Sequence, residues 1–340
     1  MRILLIGGNG FIGSPLMREL QASRHEVAIF HRGADATAAS NTTQISGDRN
    51  RLPDFLDQLR QFAPDVIVDL ILSSGEQARQ LMNVAKKLAC RVVALSSMDV
   101  YRAWGVCQNS EGPELEALPL TEDARLRTSR SLYPPDKVKM MQGIFSWLTD
   151  EYDKIAVEEE VRSFNGTVVR LPVVYGPGDP LHRFFPVLKR CADGRPFILL
   201  PDDFAAWRSP RGYVDNVAHA IALACASEKS AGHTYNVCEE PCLSELEWQT
   251  RIAKQVDWPG KLIAIPKDLA PEHIVVPGNA NQHMVVSSAR IRSELGYAER
   301  IGVDEAIRQT TKWEQQNPPA VKQEQFDYAA EDAAVASLQE

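Results

Sequence analysis

The first 170 residues alternate between short, continuously apolar runs and longer stretches in which apolar residues recur every three or four positions. Runs such as "RILLIG" are rich in β-branched residues without polar alternation, as in strands buried on both faces of a sheet. The residues from Leu52 to Phe62 and from Ala78 to Ala89 carry apolar stripes at helical spacing. The alternation predicts an α/β fold with a parallel sheet and helices on both faces. The predicted strands of this half are "RILLIG", "EVAIFH", "TQISGD", "DVIVDLIL", "RVVALSS" and "GTVVRL".

The second half of the chain is less regular and predicts a smaller lobe. "PVVYGPGDP" is interpreted as a turn-rich loop, "FFPVLKRCADGRPFILL" as a helix running into a strand, "VDNVAHAIALACA" as a helix and "HTYNVC" as a strand. We expect residues 1–170, with a returning segment at about 211–240, to form the sheet domain. Residues 171–210 and 241–317 then form a smaller C-terminal lobe, with the site in the cleft between the two. The Ala-rich residues 318–340 hold one Lys and five acids, which predicts an appended helix or a loose end outside the core.

Composition and charge narrow the range of partners. The net charge of −8 gives no broad basic surface, so we expect no nucleic-acid ligand. No apolar run approaches the roughly 18 residues that a membrane span needs, and glycines interrupt the N-terminal run, so a cytoplasmic location is predicted. None of the six cysteines forms a C-x-x-C pair or has zinc-finger spacing, which predicts reduced thiols and no metal site.

A glycine-rich turn follows the first predicted strand and opens the first predicted helix. "GGNGFIG" places Gly7, Gly10 and Gly13 at G-x-x-G-x-x-G spacing. Gly7 allows a sharp turn, Gly10 lets the backbone approach a pyrophosphate, and Gly13 lets the helix pack closely on the strand. The helix N-terminus then faces an anion. The position between a buried strand and an amphipathic helix predicts a Rossmann-type, doubly wound dinucleotide-binding sheet.

The end of the second strand bears on the choice of cofactor. Proteins that bind NAD usually place an acid there, whereas this chain has His31 and Arg32. A guanidinium can pair with a 2′-phosphate, which an acid would repel, so NADP(H) is predicted over NAD(H), with NAD possible. Asp48, which closes the third strand, is placed to accept a hydrogen bond from the adenine amino group.

Several motifs together resemble the extended or atypical branch of the short-chain dehydrogenase/reductase superfamily, the NAD-dependent epimerase/dehydratase family. They are "GGNGFIG", "GDR", "LSSMDVY", "YDKIAVEEEV", "RLPVVYGPGD", "YVDNVAHAI" and "ARIRSELGY", and they span residues 3 to about 317. The resemblance implies an oxidoreductase or epimerase acting on a small hydroxy, carbonyl or sugar-like substrate. It also implies a homodimer through the helices that carry Met82 and Lys154. The cofactor contacts that it implies, besides the glycines, are Asn9, Phe11, Ile12, Leu70, Ile71, Leu72, Lys154, Pro172 and Val174.

The family's chemistry uses a Tyr, a Lys and a Ser, and the Tyr is displaced in this chain. Ser97 and Lys154 match the Ser and Lys positions, and Glu158 follows Lys154 as in the family's helix. The family's Tyr lies four residues before the Lys, a position that Asp150 occupies here. Residues four apart share a helix face, so Asp150 is placed to pair with Lys154. The side chain of Tyr152 points away from Lys154 unless the helix begins at or just after Tyr152, which would leave the tyrosine on non-helical backbone.

Two main interpretations and a less favoured third therefore stay open. In the first, the chain is an enzyme with a displaced acid, with Tyr152 as the first candidate and Tyr101 or Tyr133 as the others. Tyr133 and Lys137 form a literal Y-x-x-x-K in "YPPDK", but the two prolines keep Tyr133 out of a helix, and we treat this match as a decoy. In the second, the chain is a non-catalytic NADP(H)-binding regulator or sensor. RNA binding, known for some relatives in the atypical branch, is a less favoured third interpretation because the chain is acidic.

Further charged residues lie in the predicted second lobe. Arg208 and Arg211 fall near the position at which relatives hold a nucleotide-sugar pyrophosphate, with the match off by one or two residues. It is equally consistent with the sequence that both arginines are exposed to solvent and bind no ligand. His182 and Arg183 follow the "PGDP" turn and are candidates for the cleft wall, whereas His219 is interpreted as a helix residue packed at the junction of the lobes.

Overall fold

The computed structural model describes residues 1–33, 42–130 and 133–338. The strands are β1 (Arg2–Ile6), β2 (Glu26–His31), β3 (Thr43–Ser46), β4 (Val66–Asp69), β5 (Arg91–Ser97), β6 (Thr167–Leu171), β7 (Val173–Tyr175), β8 (Phe197–Pro201), β9 (Arg211–Tyr213), β10 (Thr234–Asn236) and β11 (Lys261–Ile265). The helices are α1 (Gly13–Ala22), α2 (Leu56–Phe62), α3 (Gly75–Leu88), α4 (Arg102–Cys107), α5 (Pro135–Ile144), α6 (Lys154–Ser163), α7 (Phe185–Ala192), α8 (Asp202–Ala206), α9 (Val214–Ala226), α10 (Glu245–Lys254), α11 (Ala289–Leu295), α12 (Val303–Gln316) and α13 (Tyr328–Ser337).

The main sheet confirms the predicted fold class. In the described part of the chain its seven strands run in the order β10-β6-β5-β4-β1-β2-β3, and every neighbouring pair is parallel. The order reverses between β1 and β4, so a crevice opens at the carboxyl ends of these strands, where ligands bind in open α/β sheets. The glycine loop after β1 and Ser97 at the end of β5 therefore lie at the same edge.

Both faces of the sheet are covered by helices, as the continuously apolar strands predicted. On one face, Leu16 and Leu20 of α1 and Val217 and Ile221 of α9 are buried against alternate residues of the strands. On the other face the sheet is covered by α3 and α6, which also pack against each other. Because successive strand residues point to opposite faces, this double burial requires the unbroken apolar runs seen in the sequence.

The second half adds two small parallel sheets, β7 with β9 and β8 with β11. The segment "PVVYGPGDP", which was predicted to be a loop, holds the short strand β7. Its backbone pairs with β9, a partner far along the chain that local periodicity does not reveal. The predicted strand "HTYNVC" contains β10 and returns to the main sheet beside β6. The division of the chain into a cofactor domain and a substrate lobe stays a prediction.

The C-terminal tail is an appended helix, as one of the two alternatives predicted, and it is held by buried contacts. Glu331 on α13 is fully buried and pairs with Arg190 of α7. Ala334 of α13 packs with Leu199 of β8 and Ile265 of β11, and the buried Phe326 before the helix packs on Phe185 of α7. The tail thus packs on α7, β8 and β11 instead of lying loose on the surface.

The apolar stripe of α3 is used within the chain. Ala78, Leu81, Met82 and Ala85 are all buried against the protein's own sheet and α6. They therefore give no support to a dimer interface, and a homodimer through α3 and α6 stays a prediction. None of the helices in the described ranges is long and apolar enough to cross a membrane.

Candidate active site

The glycine loop forms a cradle at the N-terminus of α1. Gly7 has a φ of +82°, and a Cβ at Gly13 would lie 2.4 Å from the carbonyl oxygen of Gly8. Both positions therefore require glycine, one for the turn and one for the close packing of helix on loop. In the described residues, no side chain caps α1 and no acid lies in its first turn. This bare helix N-terminus fits the pyrophosphate of a dinucleotide.

A cleft of about 480 Å³ runs from this loop to the end of β5. Lys154, Ser97 and Tyr152 all line it, although they come from α6, from the end of β5 and from the loop before α6. The structure thus brings the three predicted catalytic residues to one cavity. The predicted cofactor contacts that line the same cleft are Gly7, Gly10, Phe11, Ile12, Gly13, Leu70, Ile71, Lys154, Pro172 and Val174.

The opening of α6 sets the direction of Tyr152. Asp153 caps the helix by accepting hydrogen bonds from the amides of Ile155 at 2.9 Å and Ala156 at 3.2 Å, so α6 begins at Lys154. Tyr152 consequently lies on non-helical backbone, free of the helical repeat that would turn it away from Lys154. Asp150 lies before the helix and accepts a hydrogen bond from Gln142 at 2.8 Å. The described contacts show no ion pair between Asp150 and Lys154, because the two do not share a helix face.

Asp99, a residue that the sequence reasoning missed, holds the hydroxyl group of Tyr152. The hydroxyl donates to Asp99 Oδ2 at 2.8 Å. Burial raises the pKa of Tyr152 well above its ordinary value, and the Asp99 carboxylate acts in the same direction. Burial also raises the pKa of Asp99, while Arg127 and hydrogen bonds from Tyr152 and Ser97 oppose that rise. Asp99 follows β5 in the motif "SSMDVY", and an acid just past a strand's carboxyl end was the signal available for it.

Lys154 is buried beneath the cleft and donates to backbone carbonyls. Its ammonium group bonds the carbonyl oxygens of Leu72 and, at 3.1 Å, Leu95, and it lies 5.9 Å from the centre of the Tyr152 ring. Burial lowers the pKa of Lys154 to about 8, although the carboxylates of Asp99, Asp69 and Glu158 oppose the change. Leu72, which was predicted to contact the cofactor, thus contacts Lys154 through its carbonyl group, and its side chain is fully buried.

The lowered pKa of Lys154 predicts a specific dependence of stability on pH. The folded protein starts to lose this proton near pH 8, whereas the unfolded chain keeps it to about pH 10.5. In this window the unfolded state binds more protons, so the free energy of unfolding rises with pH. We expect the wild type to gain stability relative to Lys154→Met as the pH is raised from 8 towards 10, measured by urea denaturation. A difference between the two proteins that stays constant over this range would contradict the assignment.

The other two tyrosine candidates have different surroundings. Tyr101 is fully buried, donates to Asn236 Oδ1 at 2.6 Å and accepts from Arg170 at 2.9 Å, so it belongs to a structural network beneath the sheet edge. Tyr133 lies beside Tyr152, with ring centres 5.8 Å apart, and its hydroxyl is 3.5 Å from Asp99 Oδ2. Its position just before α5 keeps it out of a helix, as the two prolines predicted.

The residues predicted to recognise the adenosine end lie at or beyond the rim of the cleft. Arg32 follows β2, is exposed, and donates to the carbonyl oxygen and hydroxyl of Ser146 at 3.2 and 3.0 Å. Ser146 belongs to a segment, residues 144–147, that lines the cleft and that the sequence reasoning did not include. His31 ends β2, and Asp48 accepts a hydrogen bond from the amide of Asn50 at 3.0 Å. The described residues that line the cleft do not include His31, Asp48, Arg32 or Asn9.

Of the charged residues predicted in the second lobe, Arg183 reaches the cleft. Its guanidinium bonds Asp179 at 2.6 Å and the carbonyl oxygen of Val174 at 3.1 Å. His182 instead lies 2.6 Å from Glu314, and His219 lies 3.0 Å from Glu19 of α1. Arg211 pairs with Glu245, and Arg208 pairs with Glu247 at 3.3 Å, so each of these arginines has a carboxylate partner.

The sequence pattern of the NAD dependent epimerase/dehydratase family matches residues 3–238, and the chain belongs to this family. The resemblance stated from the motifs is thereby confirmed. The 2'-dehydrokanamycin reductase of Streptomyces kanamyceticus is 25% identical over 287 residues, which are 81% of this chain and 72% of that protein.

Two further proteins are similar to this chain, one in sequence and one in structure. The chloroplast stem-loop binding protein of 41 kDa b of Arabidopsis thaliana is 24% identical over 255 residues, and the match spans 70% of this chain but 59% of that protein. The crystal structure of dTDP-glucose 4,6-dehydratase from Bacillus anthracis in complex with NAD matches with a TM-score of 0.68 at 15% identity, covering 93% of this chain and 97% of that chain. At this identity the likeness shows the fold.

Proposed function

We propose that the protein is an NADP(H)-dependent reductase of a carbonyl group on a small, sugar-like substrate, with Tyr152 as the displaced proton donor. The observation that carries the proposal is the start of α6 at Lys154, which lets Tyr152 line the same cleft as Lys154 and Ser97. The similarity to a protein named as a reductase of 2'-dehydrokanamycin supports a carbonyl on a ring substrate.

Each of the three residues has a role in this proposal. The nicotinamide cofactor supplies the hydride. Ser97 offers a hydroxyl group at the carboxyl end of β5 that positions the substrate oxygen, and Tyr152 gives that oxygen its proton. Lys154, held on two backbone carbonyls beneath the Tyr152 ring, places a positive charge near the developing negative charge on oxygen.

The raised pKa of Tyr152 favours reduction over epimerisation. A phenol whose pKa is raised keeps its proton and is a poor base toward a substrate alcohol, which an epimerase must first oxidise. The alkoxide formed when a carbonyl group receives hydride is a far stronger base than a phenolate, so a protonated Tyr152 still neutralises it. In this structure the Tyr152 hydroxyl donates to Asp99, so the proposal requires that it turns from Asp99 to the substrate oxygen when substrate binds.

Transfer of a labelled hydride tests this function. The protein is incubated with NADPH that carries deuterium at both nicotinamide C4 positions and with a panel of ring ketones that includes 2'-dehydrokanamycin. The proposal expects an alcohol carrying one deuterium on the former carbonyl carbon, detected by mass spectrometry. If NADPH binds and no ketone of the panel is reduced, the alternative of a non-catalytic NADP(H)-binding sensor is favoured.

We propose Arg32 as the determinant of NADP(H) preference. In the structure its guanidinium is satisfied only by Ser146 among the described residues, so it can exchange this neutral partner for a 2′-phosphate. A charge-assisted bond is worth about 1.5–3 kcal/mol, so we expect NADPH to bind roughly 10- to 100-fold more tightly than NADH. Arg32→Ala removes the preference, whereas Arg51→Ala, at an exposed arginine paired with Asp54, keeps it. Fluorescence titration with both cofactors measures the ratio; equal affinities in the wild type would refute the assignment.

RNA binding is the second candidate function, because the chain is similar to a stem-loop binding protein. The net charge of −8 opposes it, since phosphate recognition depends on clustered cations. Gel-shift titration with a structured RNA over a salt series separates the two candidates. Micromolar binding that weakens steeply with added salt would favour RNA as the ligand.

A further inference from the structure

A second cavity of about 390 Å³ lies in the C-terminal half, beside the cofactor cleft. Arg183 lines both cavities and stands between them. The walls of the second cavity come mainly from α7, β8 and α10, and they are rich in aliphatic and aromatic side chains. Those that set its character are Phe184, Val187, Ile198, Leu200, Trp248 and Ile252.

Three arginines line this second cavity, and each is matched with a carboxylate. Arg183 bonds Asp179 at 2.6 Å. Arg211 pairs with Glu245 and stacks on Trp248, with its guanidinium carbon 4.5 Å from the ring centre. Arg190, the third arginine, pairs with the fully buried Glu331 at 2.6 Å. Among the described residues, no arginine therefore faces the cavity without a neutralising partner.

The C-terminal tail supplies one of these partners and part of the cavity wall. Glu331 lies on α13, and the carbonyl oxygen of Gln325, just before that helix, accepts from Arg190 at 3.1 Å. Gln325 itself lines the cavity, as does His273, whose ring lies 3.0 Å from Glu331. Phe326 packs edge-to-face on Phe185, with ring centres 6.0 Å apart, and fixes the segment in place. The acidic tail thus forms part of the cavity wall and neutralises Arg190.

We propose that the second cavity binds an uncharged, largely apolar part of the substrate, and that Glu245 and Glu331 exclude nucleoside diphosphates from it. Burying a diphosphate requires cations that are free to form charge-assisted bonds, and here these bonds are already made. An uncharged ring leaves the ion pairs intact and gains contact with Trp248 and the aliphatic wall. This inference rests on the proposed function in placing the remote part of the substrate here, and it distinguishes this chain from enzymes of nucleotide sugars.

The proposal is tested by binding, separately from turnover. The protein is saturated with NADP⁺, which fills the cofactor cleft without absorbing the tryptophan emission, and is titrated with the uncharged dye N-phenyl-1-naphthylamine and, in a second series, with UDP. We expect the dye to bind in the micromolar range with energy transfer from tryptophan, and UDP not to bind below about 1 mM. Val187→Trp, which fills the cavity, removes dye binding. If no labelled hydride is transferred but the dye still binds, the result counts against the proposed reductase function and not against the preference of the second cavity for uncharged ligands.

Variants of the two carboxylates provide the positive arm of the test. Glu245→Gln frees one arginine from its carboxylate partner. Combining it with Glu331→Gln frees two, and we expect the affinity for UDP to rise at least about 10-fold for each arginine freed. Asp332→Asn is the matched control on the same helix, because Asp332 is exposed and pairs with Arg195, and neither residue lines the cavity. The single variant leaves the tail intact if the double variant fails to fold. Micromolar UDP binding by the wild type, or no dye binding, would overturn the proposal.

Discussion

Tyr152→Phe is expected to lower kcat for carbonyl reduction by about 10²–10⁴, the usual range for loss of a general acid. The substitution removes one hydroxyl group and leaves the ring against Tyr133, so the cleft keeps its shape. Cofactor affinity should change little, because the glycine loop and Lys154 are untouched. Steady-state kinetics with NADPH and the reduced ketone, together with fluorescence titration of NADPH, measure the two effects separately.

Tyr133→Phe is the matched control for this prediction. Its hydroxyl is 3.5 Å from the same carboxylate oxygen that accepts from Tyr152 at 2.8 Å, so it shares the surroundings but not the close bond. We expect it to retain most of the activity. A Tyr152→Phe enzyme that turns over as fast as the wild type would make Tyr152 structural, and a large loss in Tyr133→Phe alone would move the proton donor to Tyr133.

Glu158→Gln is expected to destabilise the protein by about 3–5 kcal/mol, the cost of leaving a buried charge unpaired. Glu158 on α6 is fully buried and accepts two bonds from Arg170 on β6, at 2.9 and 2.7 Å, and one from Ser96 on β5 at 2.6 Å. The loss of the carboxylate leaves the Arg170 guanidinium buried with its neutral partners, Tyr101 and the carbonyl oxygen of Glu122. Urea denaturation at fixed pH measures the change.

Two further variants separate charge from packing. Glu159→Gln, next along the same helix, breaks an exposed pair with Arg130 and should cost about 0–1 kcal/mol. Glu158→Leu combined with Arg170→Met removes both buried charges and should recover part of the loss. If Glu158→Gln costs no more than Glu159→Gln, the buried pair does not anchor α6, and the position of Lys154 depends on other contacts.

The sheet and the cofactor loop could be predicted because their signals are local. Continuous apolar runs, helical stripes and three glycines each act within a few residues, and the strands and the turn at Gly7 follow from them. The short strand β7 could not be found this way, since three residues acquire strand geometry only by pairing with β9. Helix α5 was also missed, inside a stretch without a clear apolar period.

The sequence named candidate residues for the site but not the contacts between them. Spacing singled out Ser97 and Lys154 as candidates and left the direction of the Tyr152 side chain open, because one capping interaction at Asp153 decides where α6 begins. Asp99 was missed because its role comes from the contact with Tyr152, 53 positions along the chain. The pair of Arg190 with Glu331 joins residues 141 positions apart, so no local pattern could show that the tail neutralises this arginine of the second cavity.

A crystal structure of the complex with NADPH tests the central claim most directly. The claim is that Tyr152, just ahead of α6, takes over the role of the tyrosine that the family carries four residues before the lysine. The account predicts the nicotinamide in the cleft between the glycine loop and β5, with the Tyr152 hydroxyl and Ser97 both facing the space beside its C4 atom. A substrate oxygen in that space would then lie within about 2.6–3.2 Å of both hydroxyl groups. A nicotinamide bound elsewhere, or a Tyr152 hydroxyl screened from that space and still committed to Asp99, would contradict the account.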